Sequence, residues 1–238
     1  MPVNHGDSSG LTSSSPDDHR APMTPDVALC VFAKPPRAGT AKTRLAPALG
    51  AEGAARLAQA FLQDTWALVK QLPWAAPVLA STEPWPKGLL PSPLEVWQQG
   101  EGDLGARMER ILLRALERYP AAIALGADSP GLPAAYLEAA RAGLEHADAV
   151  LGPSEDGGFY LLALKRLPVG AFVGLPWSQP ETLARTEARL VSLGLSVRHV
   201  TPFFDVDVPE DLVRLEMELA SERVQAPATQ AVLRELGR

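Results

Sequence analysis

The sequence predicts an α/β protein with three layers, α/β/α, around a mostly parallel sheet. Short apolar runs rich in β-branched residues alternate along the chain with longer stretches of helical periodicity, and this alternation is typical of α/β folds. Loops rich in glycine and charged residues follow several of the apolar runs. The length of 238 residues, with 46% hydrophobic and 21% charged residues, suits a soluble protein with one well-buried core.

The apolar runs place the strands. They are predicted at 27–33, 77–81, 94–97, 121–126, 149–151, 159–164 and 196–200. The first, Val27 to Ala33, has the length and β-branched content of a buried strand. The second and third are joined by a proline-rich loop, and the fifth and sixth by a loop that contains two acids and two glycines.

Helical periodicity and capping residues place the helices. They are predicted at 52–72, from the glycine-rich loop after 98 to about 119, at 133–146, from 178 to about 194, and from 209 onward. In the first, Leu57, Phe61 and Leu68 lie on one stripe. Ser178 and Glu181 have the spacing of a capping box, and Pro209 suits the first turn of the last helix.

Composition limits the classes of function. No run approaches the roughly 18 apolar residues of a membrane span. Cys30 is the single cysteine, so an intramolecular disulfide is impossible and a cytoplasmic location is expected. Residues 1–25 are rich in Ser, Pro, Asp and Gly and lack the regions of a signal peptide, so they are expected to form a disordered tail before one domain at 26–238. The sequence does not decide between a monomer and a homodimer.

The loop after the first strand is the strongest functional signal. It carries four cationic residues, Lys34, Arg37, Lys42 and Arg44, with no acid among them, although the whole chain has a net charge of −6. A basic loop between a buried strand and a helix favours a compact polyanion, because backbone N–H groups point at the ligand there. A nucleic-acid track would need basic residues spread over a face. The alternative is a solvated surface loop.

Two familiar phosphate motifs do not fit this loop. A Walker A motif needs glycine directly before the Lys-Ser/Thr pair, whereas Ala41 precedes Lys42 and Thr43. A dinucleotide fingerprint needs three glycines, whereas Gly39 stands alone before Gly50. Neither motif therefore accounts for the residues of this loop.

Three aspartates follow apolar segments and are candidate metal ligands. Asp128 follows the strand at 121–126 after one alanine, at the edge where open α/β sheets bind ligands, although it also suits a turn. Strand alternation places Asp205 and Asp207 on one face, where no nearby lysine is expected to neutralise them, and Asp207 could instead cap the next helix. Paired carboxylates without a neighbouring cation favour Mg²⁺ or Mn²⁺.

Two glycine-rich loops are candidate substrate contacts. Gly100, Gly102 and Gly105 surround Asp103, which could either serve a ligand or cap the helix that follows. Arg107 lies on the first turn of that helix as a further anion contact.

The second such loop runs from Ser154 to Gly158 and carries Asp156, Gly157 and Gly158. Consecutive glycines admit a ligand against the main chain, but an Asp-Gly hairpin would look similar. Asp156 is the candidate general base, since it lies on an exposed loop.

Six motifs in order resemble those of the GT-A-fold transferases known as radical-SAM/selenodomain-associated transferases, relatives of 2-phospholactate guanylyltransferase and of the molybdenum-cofactor nucleotidyltransferases. They are AKPPRAGTAKTRL, GEGDLGARM, GADSPGLP, GPSEDGGFYLL, PWS and DVDVPEDL. The resemblance covers roughly Val27 to Leu219 and implies a Rossmann-like sheet of the GT-A (nucleotide-diphospho-sugar transferase) type. The basic loop departs from the glycine-richer form of sugar-phosphate nucleotidyltransferases, which leaves the base and the reacting phosphate open.

The resemblance also implies roles for individual residues. It implies nucleotide binding by Lys34, Arg37, Gly39, Thr40, Lys42, Thr43 and Arg44. It implies metal binding by Asp128, Asp205 and Asp207, and substrate contact at Gly102, Asp103, Gly105, Asp156, Gly157 and Gly158. Lys42, Arg44 and Asp156 are the expected catalytic residues.

The expected function is metal-dependent transfer from a nucleotide or nucleotide-sugar donor to a small-molecule acceptor. One alternative is nucleotidyl transfer from a nucleoside triphosphate to a small phosphorylated acid, with release of pyrophosphate. Another is a regulatory module that binds nucleotide without turnover. A dehalogenase-like phosphatase is disfavoured because its DxD pair would follow the first strand, where Lys34, Pro35 and Pro36 stand instead.

Overall fold

A computed structural model describes residue 1 and residues 24–91 and 94–238. The tail predicted at 1–25 therefore falls almost entirely outside the described residues.

Seven strands form one sheet in the order β3-β2-β1-β4-β6-β5-β7. The strands are β1 (Val27–Ala33), β2 (Ala75–Ser81), β3 (Val96–Gln98), β4 (Ala121–Gly126), β5 (Ala149–Pro153), β6 (Phe159–Leu164) and β7 (Val197–His199). β6 runs antiparallel to its neighbours β4 and β5, and the other pairs are parallel. The predicted α/β fold with a mostly parallel sheet is confirmed.

The described residues form six α-helices. They are α1 (Ala46–Lys70), α2 (Leu104–Leu116), α3 (Ala134–Gly143), α4 (Thr182–Ser192), α5 (Pro209–Ala220) and α6 (Pro227–Glu235), with a short 3₁₀ turn at Thr43–Leu45 before α1. None of these described helices is both long and apolar enough to cross a bilayer.

The sheet separates two apolar layers, as the alternation along β1 shows. Leu29 and Val31 face the layer that contains α1, α3, α5 and α6, whereas Ala28 and Cys30 face the layer that contains α2 and α4. Because successive strand residues point to opposite faces, a fully buried strand is apolar throughout. Burial raises the pKa of the Cys30 thiol to about 12.

The helix α6 was missed by the sequence prediction. It begins at Pro227 and packs on α1, where the buried carboxylate of Asp64 accepts hydrogen bonds of 2.9 Å from the backbone N–H groups of Ala228 and Thr229. A side chain on α1 thus caps a helix 164 residues later. Periodicity along the chain does not reveal such a cap, because the capping residue is distant in sequence.

Two predicted helix starts were also wrong. The helix predicted from residue 52 begins earlier, at Ala46, because a first helical turn precedes a kink at Gly50, where φ is 71°. The capping box of Ser178 and Glu181 does not form. Ser178 instead has a left-handed backbone with φ of 56°, and the hydroxyl of Thr182 accepts a hydrogen bond from the backbone N–H of Gln179 at 3.1 Å.

The strand order places a topological switch point between β1 and β4. The chain proceeds from β1 to β2 and β3 on one side, then crosses to β4 on the other side of β1. Open α/β sheets bind ligands outside the carboxyl ends of their strands at such a point. This is where the basic loop after β1 and Asp128 after β4 lie.

Candidate functional site at the switch point

A cleft of about 620 Å³ opens at the carboxyl ends of β1, β2 and β4. It is lined by Phe32, Ala33, Lys34, Pro36, Thr40, Ala41, Lys42, Thr43, Arg44, Ala58, Leu62, Thr82, Gln99, Leu104, Arg107, Gly126, Ala127, Asp128, Asp156, Ser178 and Asp207. Four of these side chains are cationic and three are acidic. The cleft therefore presents both charges at one edge of the sheet.

The basic loop is folded back on itself by a turn at Arg37. The carbonyl of Arg37 accepts hydrogen bonds from the N–H groups of Thr40 and Ala41 at 3.1 and 3.0 Å, and Gly39 has the positive φ of 79° that the turn requires. Lys34 donates to the carbonyl of Thr40 at 2.5 Å. The turn brings the two ends of the loop to the same side of the cleft.

Lys42 joins the basic loop to two carboxylates. Its Nζ lies 2.6 Å from Oδ1 of Asp128 and 2.6 Å from Oδ1 of Asp207. The Lys42 side chain is 8% exposed, whereas those of Asp128 and Asp207 are 58% and 44% exposed. Lys42 also has a left-handed backbone, with φ of 45° and ψ of 46°. Three segments that are remote in sequence thus meet at one ammonium group.

These contacts correct one premise of the sequence analysis. Asp207 does have a lysine partner, which is 165 residues away along the chain. Burial alone would lower the pKa of Lys42, but the charges and hydrogen bonds of Asp128 and Asp207 outweigh it and raise the pKa of the ammonium. Lys42 is therefore charged, and it occupies the place between two carboxylates that we had expected a metal to hold.

Asp207 contacts Lys42 and does not cap α5, whose N-cap position is held by Val208 without a side-chain hydrogen bond. The carboxylate of Asp211 accepts hydrogen bonds from the backbone N–H groups of Asp207 and Val208 at 2.8 and 2.9 Å. The alternative in which Asp207 caps this helix is therefore wrong.

Asp205 lies close to two other acids and forms no ion pair within the described part of the chain, although the charge of Lys42 partly offsets theirs. Burial, together with the charges of Asp156 and Asp207, raises the pKa of Asp205 to about 6. Val206 between the two aspartates is fully buried and donates to the carbonyl of Asp128 at 2.9 Å. Asp205 and Asp207 are thus both partly exposed around a buried residue, as alternation predicts, although this segment is not a strand.

Within residues 24–91 and 94–238, no three His, Cys, Asp or Glu side chains form a ready-made metal cluster. The donor chemistry nevertheless suits a hard cation. Carboxylate oxygens are the ligands that Mg²⁺ and Mn²⁺ prefer, and Mg²⁺ commonly takes one or two of them together with substrate phosphates. Burial and the charges of the neighbouring acids raise the pKa of Asp205, and such a cation would offset both effects.

Glu155 and Asp156 are neighbours in sequence with different environments. Glu155 forms a two-pronged ion pair with Arg214 on α5, and the guanidinium of Arg214 lies 4.4 Å from the ring centre of Phe204. Asp156 lines the cleft, and its Oδ1 accepts hydrogen bonds from the hydroxyl of Ser154 at 2.6 Å and the N–H of Gly158 at 2.8 Å. Glu155 anchors the loop, and Asp156 faces the cleft.

The loop from Ser154 to Gly158 is the turn of the β5–β6 hairpin. The N–H of Ser154 donates to the carbonyl of Gly158 at 3.0 Å. At Gly157, φ is 87°, and a Cβ would lie 2.0 Å from the carbonyl oxygen of Pro180. Gly157 therefore allows two loops to pack against each other. The hairpin alternative is confirmed, and it still presents Asp156 to the cleft.

The loop around Asp103 is also explained by local structure. The carboxylate of Asp103 caps α2 by accepting from the N–H of Ala106 at 2.8 Å. A Cβ at Gly105 would lie 2.7 Å from Nε1 of Trp177, which packs edge-on against Phe159 and Phe172. The capping alternative is thus confirmed for Asp103.

Some of the predicted site residues line the cleft, and others do not. It is lined by Lys34, Thr40, Lys42, Thr43, Arg44, Asp128, Asp156 and Asp207. Predicted residues outside this lining are Arg37, Gly39, Gly102, Asp103, Gly105, Gly157, Gly158 and Asp205. Arg37 is engaged elsewhere, since its guanidinium lies 2.8 Å from the carboxylate of Glu83.

Three polar residues of the lining were not predicted. Thr82 follows β2 directly, and its position at a strand end was a usable signal. Gln99 is buried, with its amide donating to the carbonyl of Ala80 at 2.7 Å. Ser178 lines the cleft with a left-handed backbone, whereas the capping-box prediction implied an extended backbone at this residue.

Comparison with known proteins supports this description of the fold. Residues 65–179 match a family model described as "uncharacterized protein conserved in bacteria (DUF2064)". No curated protein matches the sequence at a significant level. A solved structure from Desulfovibrio desulfuricans, described as a candidate nucleotide-diphospho-sugar transferase, is 27% identical and superposes with a TM-score of 0.80. The superposition covers 89% of this chain and 95% of that one.

Two more distant structures share the fold. One is CMP:2-keto-3-deoxy-manno-octonic acid synthetase in complex with CTP, with 13% identity, a TM-score of 0.54, and coverage of 83% of this chain and 99% of that one. The other is 2-C-methyl-D-erythritol 4-phosphate cytidylyltransferase from Thermus thermophilus, with 19% identity, a TM-score of 0.51, and coverage of 82% and 98%. The chain thus has the α/β fold of nucleotide-diphospho-sugar transferases, and residues 65–179 resemble a bacterial family of uncharacterized proteins.

Proposed function

We propose that the protein is a metal-dependent transferase that uses a nucleotide or nucleotide-sugar donor. The observation that carries this proposal is the meeting of a cationic loop and three carboxylates in one cleft at the switch point of the sheet. The similarity to a candidate nucleotide-diphospho-sugar transferase supports it.

The phosphates of the donor would bind at the basic loop. Lys34, Arg44 and Arg107 line the cleft, and within the described part of the chain none of them forms an ion pair with a carboxylate. Thr43 adds a hydroxyl group beside them, whereas the hydroxyl of Thr40 donates to the carbonyl of Arg37 at 3.2 Å. Charged donors held in a cleft stabilise the charge that develops on a leaving phosphate.

The residues that would hold a divalent cation are Asp128, Asp205 and Asp207. When bound, Mg²⁺ or Mn²⁺ would neutralise phosphate oxygens and so favour departure of the leaving group. The chain itself contributes the positions of these carboxylates. Val206 is fixed to the loop of Asp128 by its backbone hydrogen bond, so the segments of the three aspartates are held together.

Asp156 would act as the general base for glycosyl transfer. Its Oδ1 is held by Ser154 and Gly158, and Oδ2 makes no hydrogen bond within residues 24–91 and 94–238. A carboxylate fixed in this way can accept the proton of an acceptor hydroxyl as that oxygen attacks the anomeric carbon. The nucleoside diphosphate would then leave toward the basic loop.

Nucleotidyl transfer is the second candidate. Here a phosphorylated acid would attack the α-phosphate and release pyrophosphate. The cationic lining favours it, because both a triphosphate and an anionic acceptor need positive charge and Arg107 supplies it from a different element than the basic loop. Of the two distant structures that share the fold, one is a cytidylyltransferase by name and the other is a synthetase in complex with CTP.

The decisive experiment separates the two reactions by their products. The protein is incubated with Mg²⁺, a panel of nucleoside triphosphates and nucleotide sugars, and small hydroxyl or phosphorylated acceptors. Release of nucleoside diphosphate supports glycosyl transfer, and release of pyrophosphate supports nucleotidyl transfer. If no nucleotide binds or turns over, the proposed transferase function is wrong.

A further inference from the structure

The ammonium group of Lys42 is paired with two carboxylates of the protein. A lysine that served only to bind phosphate would not need these partners. The Lys42 ammonium makes two contacts of 2.6 Å, to Asp128 and Asp207, and its side chain is almost fully buried. It also lies 5.8 Å from the ring centre of Phe61. The positive charge of Lys42, for which the family resemblance implies nucleotide binding, is therefore already paired within the protein.

The backbone conformation of Lys42 indicates that its contacts with the two carboxylates are maintained at a cost in local backbone strain. Left-handed φ and ψ are unfavourable for a residue with a Cβ. Such strain persists where the surrounding contacts enforce it. The two carboxylates supply those contacts, and Thr43 begins the 3₁₀ turn immediately afterwards.

The carboxylates, by contrast, can be reached from the cleft. Asp128 and Asp207 are 58% and 44% exposed, and both line the cleft together with Lys34 and Arg44 of the basic loop. A divalent cation that approaches them competes with Lys42. A phosphate that approaches Lys42 competes with them.

We propose that Lys42 is an internal counter-cation that Asp128 and Asp207 hold until donor and metal arrive together. Binding then exchanges partners, so that Lys42 passes to a phosphate and the two carboxylates pass to the metal. This inference deepens the proposed function and rests on it. The exchange couples the two ligands reciprocally: the metal frees Lys42 for a phosphate, and the phosphate frees the carboxylates for the metal.

The first test measures binding of Mn²⁺ alone by the electron paramagnetic resonance signal of the free ion. Lys42→Met removes the competitor and should tighten Mn²⁺ binding about tenfold, within the usual range of coupling between sites. Lys34→Met is the matched control, because it removes a cation from the same cleft that contacts the carbonyl of Thr40 instead of a carboxylate. It should change the affinity less than about twofold.

The second test measures binding of inorganic pyrophosphate by calorimetry in the presence of EDTA. Asp207→Asn frees Lys42 from one carboxylate and should tighten pyrophosphate binding about tenfold. Asp156→Asn is the matched control, since Asp156 is an acid of the same cleft that contacts Ser154 and Gly158 instead of Lys42. Its effect should be less than about threefold.

The outcomes separate the two proposals. Shifts that exceed those of the controls in both tests support the exchange. If each variant shifts affinity no more than its control does while transfer activity is found, the exchange is overturned and the transferase function stands. If neither the wild type nor any of the variants binds pyrophosphate, the reciprocal coupling and the proposed donor site are both overturned. Thermal unfolding of each variant identifies any loss of affinity that arises from misfolding.

Discussion

The two sides of the cleft are built in different ways. The cationic side comes mainly from one continuous loop, which a single turn at Arg37 folds into position. The acidic side comes from three loops, at Asp128, Asp156 and Asp207, which only the sheet brings together. Local sequence therefore determines the cationic side, whereas the acidic side depends on long-range packing, and Lys42 is where the two sides meet.

The strongest test of this contrast is Lys42→Met. It leaves the carboxylates in place but removes the charge that links them to the loop, so we expect transfer to slow by about 10²–10³-fold, as for loss of one charge-stabilising donor. Product formation under saturating donor measures the effect. Lys165→Met, on an exposed residue outside the cleft, is the control. A near-normal rate for Lys42→Met would show that the two sides act independently.

The glycines of the two sides should differ in their tolerance of a methyl group. Gly157→Ala should lower the free energy of unfolding by about 2–4 kcal/mol, because the new Cβ would overlap the carbonyl oxygen of Pro180. Gly39→Ala on the cationic side has a similar φ but open space around it, so it should cost about 1 kcal/mol. Urea unfolding monitored by tryptophan fluorescence compares the two. Equal losses would mean that the backbone angle, not the contact with Pro180, is what matters at Gly157.

The acidic side can be divided further with Asp156→Asn. The amide oxygen can still accept from Ser154 and Gly158, so the loop should keep its shape while the proton acceptor is lost. Glycosyl transfer should slow by about 10²-fold, which is typical for removal of a general base. Initial rates with each donor class provide the measurement. An unchanged rate would remove Asp156 from the mechanism and favour nucleotidyl transfer.

The smallest effect is expected for Glu155→Gln, the neighbour of Asp156. Hydrogen bonding from Arg214, opposed by partial burial and helped by the charge of Arg214, lowers the pKa of Glu155 below its ordinary value of 4.5. The ion pair therefore stabilises the fold above that pH and is lost as the pH falls through the lower, folded-state pKa. Both side chains are about half exposed, so the effect at pH 7 should be only about 0.5 kcal/mol.

Thermal unfolding of wild type and Glu155→Gln between about pH 2 and pH 8 tests this prediction. The two melting curves should differ at neutral pH and converge at the acid end. A difference that persists in acid would indicate that Glu155 acts through packing rather than through its charge.

The sequence predicted the sheet better than the site. β4 and β6 were predicted with the observed bounds, because each is an apolar run ended by glycine or a charged residue. The helix α6 was missed because its cap, Asp64, lies on α1. An element was predicted when the residues that define it are close in sequence, and it was missed when one of them is distant.

The site shows the same division. The cationic loop was found from its composition, and its residues Lys34, Lys42 and Arg44 do line one cleft. The pairing of Lys42 with Asp207 was not predicted, because it spans 165 residues and leaves no periodic signal. The glycines at 105 and 157 were interpreted as ligand contacts, and their neighbours Trp177 and Pro180 could be identified only in the folded chain. The metal and catalytic assignments stay predictions.

The burial of Cys30 makes the chain convenient for chemical labelling. Its thiol is enclosed in the buried strand β1 and, with a pKa of about 12, is scarcely ionised at neutral pH, so maleimide dyes should not react with it. A cysteine introduced at Thr40 or Ser178 would then be the one reactive thiol on the native fold. A fluorophore at either position would lie at the cleft and report on the binding of a ligand there.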